Sequence, residues 1–89
     1  MRIEFAKHFW DRFEWRKEKA PVKLTRSVVL ETIENPDIVM QDPRHPSREW
    51  RIKKINGYCL KVVVEIYPDR LLAITLFFDR NLRRKGLCK

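Results

Sequence analysis

His8, Arg12 and Arg16 recur at every fourth position near the start of the chain. Together they supply an imidazole, which titrates close to neutrality, and two guanidiniums, which grip phosphate oxygens in pairs. Such a set fits metal-independent RNA cleavage. There the ribose 2′-hydroxyl is the attacking group, so the protein needs only a proton donor or acceptor and cations to meet the charge building on phosphorus. The same spacing also describes the rim of an amphipathic helix, where Arg stems cover the border of an apolar patch and their heads stay in water. Both readings stand on these residues alone.

An α-helix turns about 100° per residue, so His8, Arg12 and Arg16 form one line beside a second line of Phe5, Phe9 and Phe13. With Phe5 at zero, Phe9, Phe13, Ala6 and Trp10 span roughly 40° to 140°, and the basic line hugs the edge of that arc. Glu4, Asp11, Glu14 and Glu18 take the opposite sector. The pattern predicts a first helix over residues 1–19. Ala20-Pro21 breaks it, and Thr25 is placed to N-cap a second helix over 25–35, with Leu24 stapled on Val29 and Pro36 forcing the stop.

From Asp37 the period changes to two. Ile38 to Met40 reads as a short edge strand and Asp42 to Ser47, with Pro43 and Pro46, as a loop. Trp50 and Ile52 then alternate with Arg51 and Lys53 up to the turn pair Asn56-Gly57. A two-residue turn would set Arg51 and Lys53 among Leu60 and Val62. A bulged three-residue connection pairs Trp50 with Val62 and Ile52 with Leu60, keeps the apolar residues together, and is the expected register. The next strand, Tyr58 to Tyr67, points Leu60, Val62, Val64 and Ile66 inward. The last returns Leu72, Ile74, Leu76 and Phe78 inward, pairing Ile66 with Leu72, Val64 with Ile74 and Val62 with Leu76.

The expectation is one α+β domain over residues 1–89, with two N-terminal helices packed on one face of a three- to four-stranded antiparallel β-meander spanning 38–78. A basic C-terminal tail follows over 79–89. The other sheet face would carry Arg51, Lys53, Cys59, Lys61, Val63, Glu65, Thr75 and Phe77. Because the apolar face must meet the phenylalanine arc, the basic line can emerge at the sheet's edge, and it and Thr75 would then mark separate surfaces.

Twenty Lys and Arg against twelve Asp and Glu give a net charge of +8. The excess is regional: +5 between Arg44 and Lys61 and +4 between Asp79 and Lys89, but −2 between Val22 and Pro43. That distribution suits a polyanion-binding face. A solvating basic tail, or a heat-adapted surface with 36% charged residues, would look the same. Arg51, Lys53 and Lys61, with Arg83 and Arg84 of the tail, can track the backbone of a single strand, and Trp15, Tyr58 or Phe77 can stack a base. Glu65 and Thr75 add polar groups to the open face.

The chain has only two glycines, and it lacks a Gly-rich phosphate loop, a nucleophile elbow and a His-Glu-x-x-His motif. His8 and His45 with two distant cysteines make no zinc set, so no metal and no cofactor is expected. Cys59 in a strand and Cys88 near the end suggest no framework of staples, and a reduced, cytoplasmic protein is the expectation. No apolar run reaches the length of a membrane span.

His8-x-x-x-Arg12-x-x-x-Arg16, then Glu34-Asn35-Pro36-Asp37, Asn56-Gly57, Leu60-Lys61-Val62-Val63-Val64 and Ala73-Ile74-Thr75-Leu76, come in an order that is itself informative. The series resembles the small family called domain of unknown function 4258, which is similar to the RelE-like toxins and the wider group holding barnase, EndoU and colicin ribonucleases. The resemblance implies a toxin-antitoxin ribonuclease cutting RNA by 2′-hydroxyl attack, with His8, Arg12 and Arg16 in the site and Thr75 near it. Pro21 and Phe77-Phe78 depart from that family's pattern. The rival expectations are a non-catalytic nucleic-acid-binding module and an interaction domain for an acidic protein such as an antitoxin. RNA, an acidic antitoxin and no membrane are the partners expected.

Overall fold

Leu60, Val62 and Val64 are fully buried along one strand, and the other elements are arranged around it. In the computed structural model, which describes residues 2–89, the elements run β1 (Arg2–Phe5), α1 (Phe9–Glu18), α2 (Arg26–Glu34), β2 (Ile38–Gln41), β3 (Arg48–Ile55), β4 (Tyr58–Ile66), β5 (Arg70–Phe78) and α3 (Arg80–Arg84). The five strands form one sheet in the order β1-β5-β4-β3-β2. Strand β1 runs parallel to β5, and every other neighbouring pair is antiparallel. The fold is α+β. It differs from the expected antiparallel meander with two helices, because among the described residues the sheet is mixed and five-stranded and three helices are present.

The first departure is at residues 2–5, where a strand replaces the first turn of the expected helix. Arg2-Ile3-Glu4-Phe5 alternates with period two, so it satisfies a strand as well as a helix. Pairing decides between them: Ile3 lies opposite Leu71 and Phe5 opposite Ala73, and both join the main core. Helix α1 starts later, with Phe9 and Phe13 buried. Phe5, Phe9, Trp10 and Phe13 form a chain of ring contacts with centroids 4.8–5.2 Å apart.

Helix α2 follows its sequence signals. Thr25 accepts a hydrogen bond from the Val28 N–H at 3.2 Å as the N-cap, and Leu24, Val29 and Ile33 are buried.

The β3–β4 hairpin corrects the expected register. Asn56 and Gly57 form a two-residue turn with φ of 49° and 83°, matching the left-handed pair of a type I′ turn. Trp50 therefore pairs with Val63 and Ile52 with Lys61, while Arg51 and Lys53 share a face with Val62 and Leu60. The cations are not stranded there. Arg51 donates to the Ile33 carbonyl at 2.7 Å and Lys53 to the Asn35 carbonyl at 3.0 Å. These are the electronegative end of α2, and Glu49, Glu31 and Asp37 add ion pairs, although the buried Arg51 Nε has no partner among the described residues.

Strand β5 also departs. A bulge at Val63/Val64 shifts the pairing, so Val62 still meets Leu76 but Val64 meets Ala73 and Ile66 meets Leu71. Leu71 and Ala73 point into the core in place of the expected Leu72 and Ile74.

The last eleven residues are not a free tail. Asp79 N-caps α3 by accepting from the Leu82 N–H at 3.0 Å. Leu82 and Cys88 bury against Ile52 and Cys59 as a second, smaller core on the far side of the sheet. Cys59 and Cys88 are joined in a disulfide, which overturns the reading of two unpaired thiols. Disulfides persist in oxidising surroundings, so the cysteine argument for a reduced, cytoplasmic chain loses its basis. Among the described residues no helix is long and apolar enough to cross a membrane.

Candidate nucleic-acid interface

Period-two alternation puts Trp50, Lys61, Val63, Thr75 and Phe77 on the sheet face turned away from the main core. Two walls rise beside that face. The end of α1 brings Trp15, Arg16 and Lys19, and α3 with its following residue brings Arg80, Arg83, Arg84 and Lys85; between them lies a cleft of about 1190 Å³ floored by Trp50, Tyr58, Lys61 and Phe77. A smaller arm continues from the same Trp50, Lys61 and Phe77 toward the β2–β3 loop, where Arg44, His45, Arg48 and Thr75 line it. The two arms form one trough.

Cations and rings interleave along it. The Arg16 guanidinium lies 4.5 Å from the Trp15 ring and 5.7 Å from Phe77, and the Lys19 ammonium lies 4.3 Å from Trp15. Arg83 sits 4.1 Å over Tyr58 and donates to the Gly57 carbonyl at 3.2 Å. Lys61 lies 3.6 Å from the Trp50 ring and 4.6 Å from Phe77. Trp15 keeps 49% of its surface exposed, so its indole is open to a ligand.

Lys61 and Asp79 anchor the floor. Their side chains meet at 2.7 Å and are only 6% and 10% exposed. Burial by itself would raise the Asp79 carboxyl, but the Lys61 ammonium and the Leu82 N–H outweigh it and hold the group below its ordinary value. The pair ties β4 to the start of α3 and so sets where the basic wall stands. At the far arm, the Tyr67 hydroxyl and the Arg48 guanidinium hold Glu65 below its ordinary value against burial, with Ser47 adding a third hydrogen bond.

By sequence comparison and by structure comparison, no family model, no curated protein and no solved structure matches this chain.

The expected site residues scatter over this geometry. Arg16 and Thr75 line the trough, in different arms. Arg12 donates instead to the Ile74 carbonyl at 3.4 Å, covering the stretch of β5 edge that β1 leaves bare. His8 is exposed at the start of α1, its Nδ1 3.3 Å from Asp11, and lines neither arm. Of the expected strand-tracking cations, Lys61, Arg83 and Arg84 line the trough, whereas Arg51 and Lys53 are bound to the end of α2. Lys19, Trp50, Asp79, Arg80 and His45 also belong to the trough. Of these Asp79 had a signal, since Asp ahead of Arg-Asn-Leu-Arg-Arg is an N-cap pattern; the others depend on a register and a folded tail.

Proposed function

We propose that the chain binds single-stranded RNA along the trough. One observation carries the reading: the exposed ring of Trp15 and the half-buried rings of Trp50, Tyr58 and Phe77 line a single concave surface together with Arg16, Lys19, Arg83 and Arg84. Bases stack on such rings whatever their identity, and the cations follow the phosphates between them. A duplex offers its bases stacked already, so it gains only the charge contacts.

Binding of a short fluorescent RNA, read by anisotropy, tests this. Replacing Arg83 and Arg84 by Glu should weaken binding by about tenfold or more and flatten its salt dependence, because each phosphate contact contributes a slope of about −0.7 on a single strand. Trp15→Ala should weaken it by about 1–3 kcal/mol. Affinity untouched by all three changes would overturn the reading.

Cleavage of the bound RNA is a second reading, favoured by the convergence of Arg16 and Thr75 on one trough through Phe77. It agrees with the resemblance to toxin ribonucleases that act through the 2′-hydroxyl. An acidic antitoxin would meet the same charges, and would compete with RNA in the anisotropy assay.

A further inference from the structure

Asp42 organises the loop between β2 and β3 from within. Its carboxylate accepts from the backbone N–H of Arg44 at 2.8 Å, from that of His45 at 3.3 Å and from the Trp50 indole at 3.1 Å. Gln41 meanwhile donates to the carbonyls of Pro46 at 2.8 Å and Arg48 at 3.0 Å. Pro43 and Pro46 fix two more backbone torsions. None of residues 43–47 is buried, so this anchoring contributes nothing to the core. What it does is order the backbone of the loop at the smaller arm of the trough, where His45 and Arg44 stand with Lys61 and Thr75. Of the two histidines, His45 alone reaches the trough; His8 is turned to Asp11 outside it.

We propose that His45 is the proton-transferring group of a metal-independent RNA-cleaving centre in this arm, with Arg44 facing the scissile phosphate and Thr75 hydrogen-bonding one of its oxygens. The assignment rests on the RNA-binding reading above. His45 takes the proton of the ribose 2′-hydroxyl as its oxygen bonds to phosphorus, and the bond from phosphorus to the 5′-oxygen breaks. The departing oxygen takes a proton from water, and the imidazolium neutralises the hydroxide left behind. The products are a 2′,3′-cyclic phosphate and a 5′-hydroxyl, and nothing is oxidised or reduced. Arg44 carries the charge gained at phosphorus, and a loop already ordered spares part of the cost of arranging it.

The test incubates the disulfide-bonded protein with a fluorescent single-stranded RNA in chelator, beside the same sequence in 2′-deoxy form, and measures binding separately by anisotropy. Cleavage of the RNA alone is expected, leaving cyclic-phosphate ends. His45→Ala should slow it by about a hundredfold or more, far more than it weakens binding. Imidazole in the buffer should restore part of that rate but none of the rate lost in Thr75→Ala. His8→Ala should cleave as the parent does. Binding without cleavage, or a His45→Ala protein as fast as the parent, overturns the assignment and leaves the binding reading intact; absence of binding overturns both.

Discussion

The Lys61 ammonium lies 2.7 Å from the Asp79 carboxylate and 3.6 Å from the centre of the Trp50 ring. One cation therefore fixes both the start of α3 and the stacking floor of the trough. Removing one partner of a nearly buried pair leaves the other charge uncompensated, which costs about 3–5 kcal/mol. This pair lines an open cleft, so Lys61→Met should cost about 3 kcal/mol, the lower end of that range. Lys61→Met combined with Asp79→Leu should recover much of the loss. Urea midpoints of the two single variants and the double variant give the coupling directly.

Acid should loosen the same contact. Asp79 is held below its ordinary value by Lys61 and Leu82 in spite of its burial, and Glu65 by Tyr67 and Arg48. Both carboxyls take up protons more readily when the chain is unfolded. Their contribution is thus complete above about pH 5 and is lost as pH falls through their folded values. The urea midpoint should drop between neutral and acid pH. The drop should be shallower in Asp79→Asn, which has already lost its share; an equally steep drop would contradict the assignment.

The Cys59–Cys88 bond closes a loop over 29 positions. Chain-entropy arguments put its contribution at roughly 3–4 kcal/mol. Helix α3 has only five residues, too few to persist without its attachment to the sheet. Cys88→Ser should therefore lower the thermal midpoint and weaken the proposed RNA binding together, since the wall carrying Arg83 and Arg84 loses its anchor. Reductant should shift the parent protein in the same direction and leave the variant unmoved.

Gly57 sits at φ 83° with nothing within 4 Å of where a Cβ would stand. Its replacement meets backbone strain and no clash. Gly57→Ala should cost about 1 kcal/mol, and Gly57→Asn less, because Asn tolerates the left-handed region. Paired denaturation curves would show the ranking.

Particular residues show how far the sequence could be read. Thr25 and Pro36 bracket α2 through local chemistry, and Leu60, Val62 and Val64 keep their inward alternation because β4 is paired on both sides. The hairpin register departs from expectation because the partners of Arg51 and Lys53 are carbonyls at the end of α2, eighteen positions earlier in the chain. No local pattern reports such an acceptor. Arg2 to Phe5 fitted two periods equally, and only the free edge of β5 settles the matter. The bulge beside Val63 is invisible in alternation of side chains, which it interrupts. For the candidate site, Arg16, Lys61, Thr75, Phe77, Arg83 and Arg84 were legible by type; their convergence depends on the folded C-terminal segment.

The parallel pairing of Arg2 with Arg70 sets a timetable for synthesis. Strand β1 emerges from the ribosome first, yet its partner lies 68 positions downstream. At elongation rates of about 5–20 residues per second, it waits several seconds with its edge unpaired. The β3–β4 hairpin can close on its own in microseconds, so the sheet is expected to grow from its late strands outward and to accept the oldest strand last.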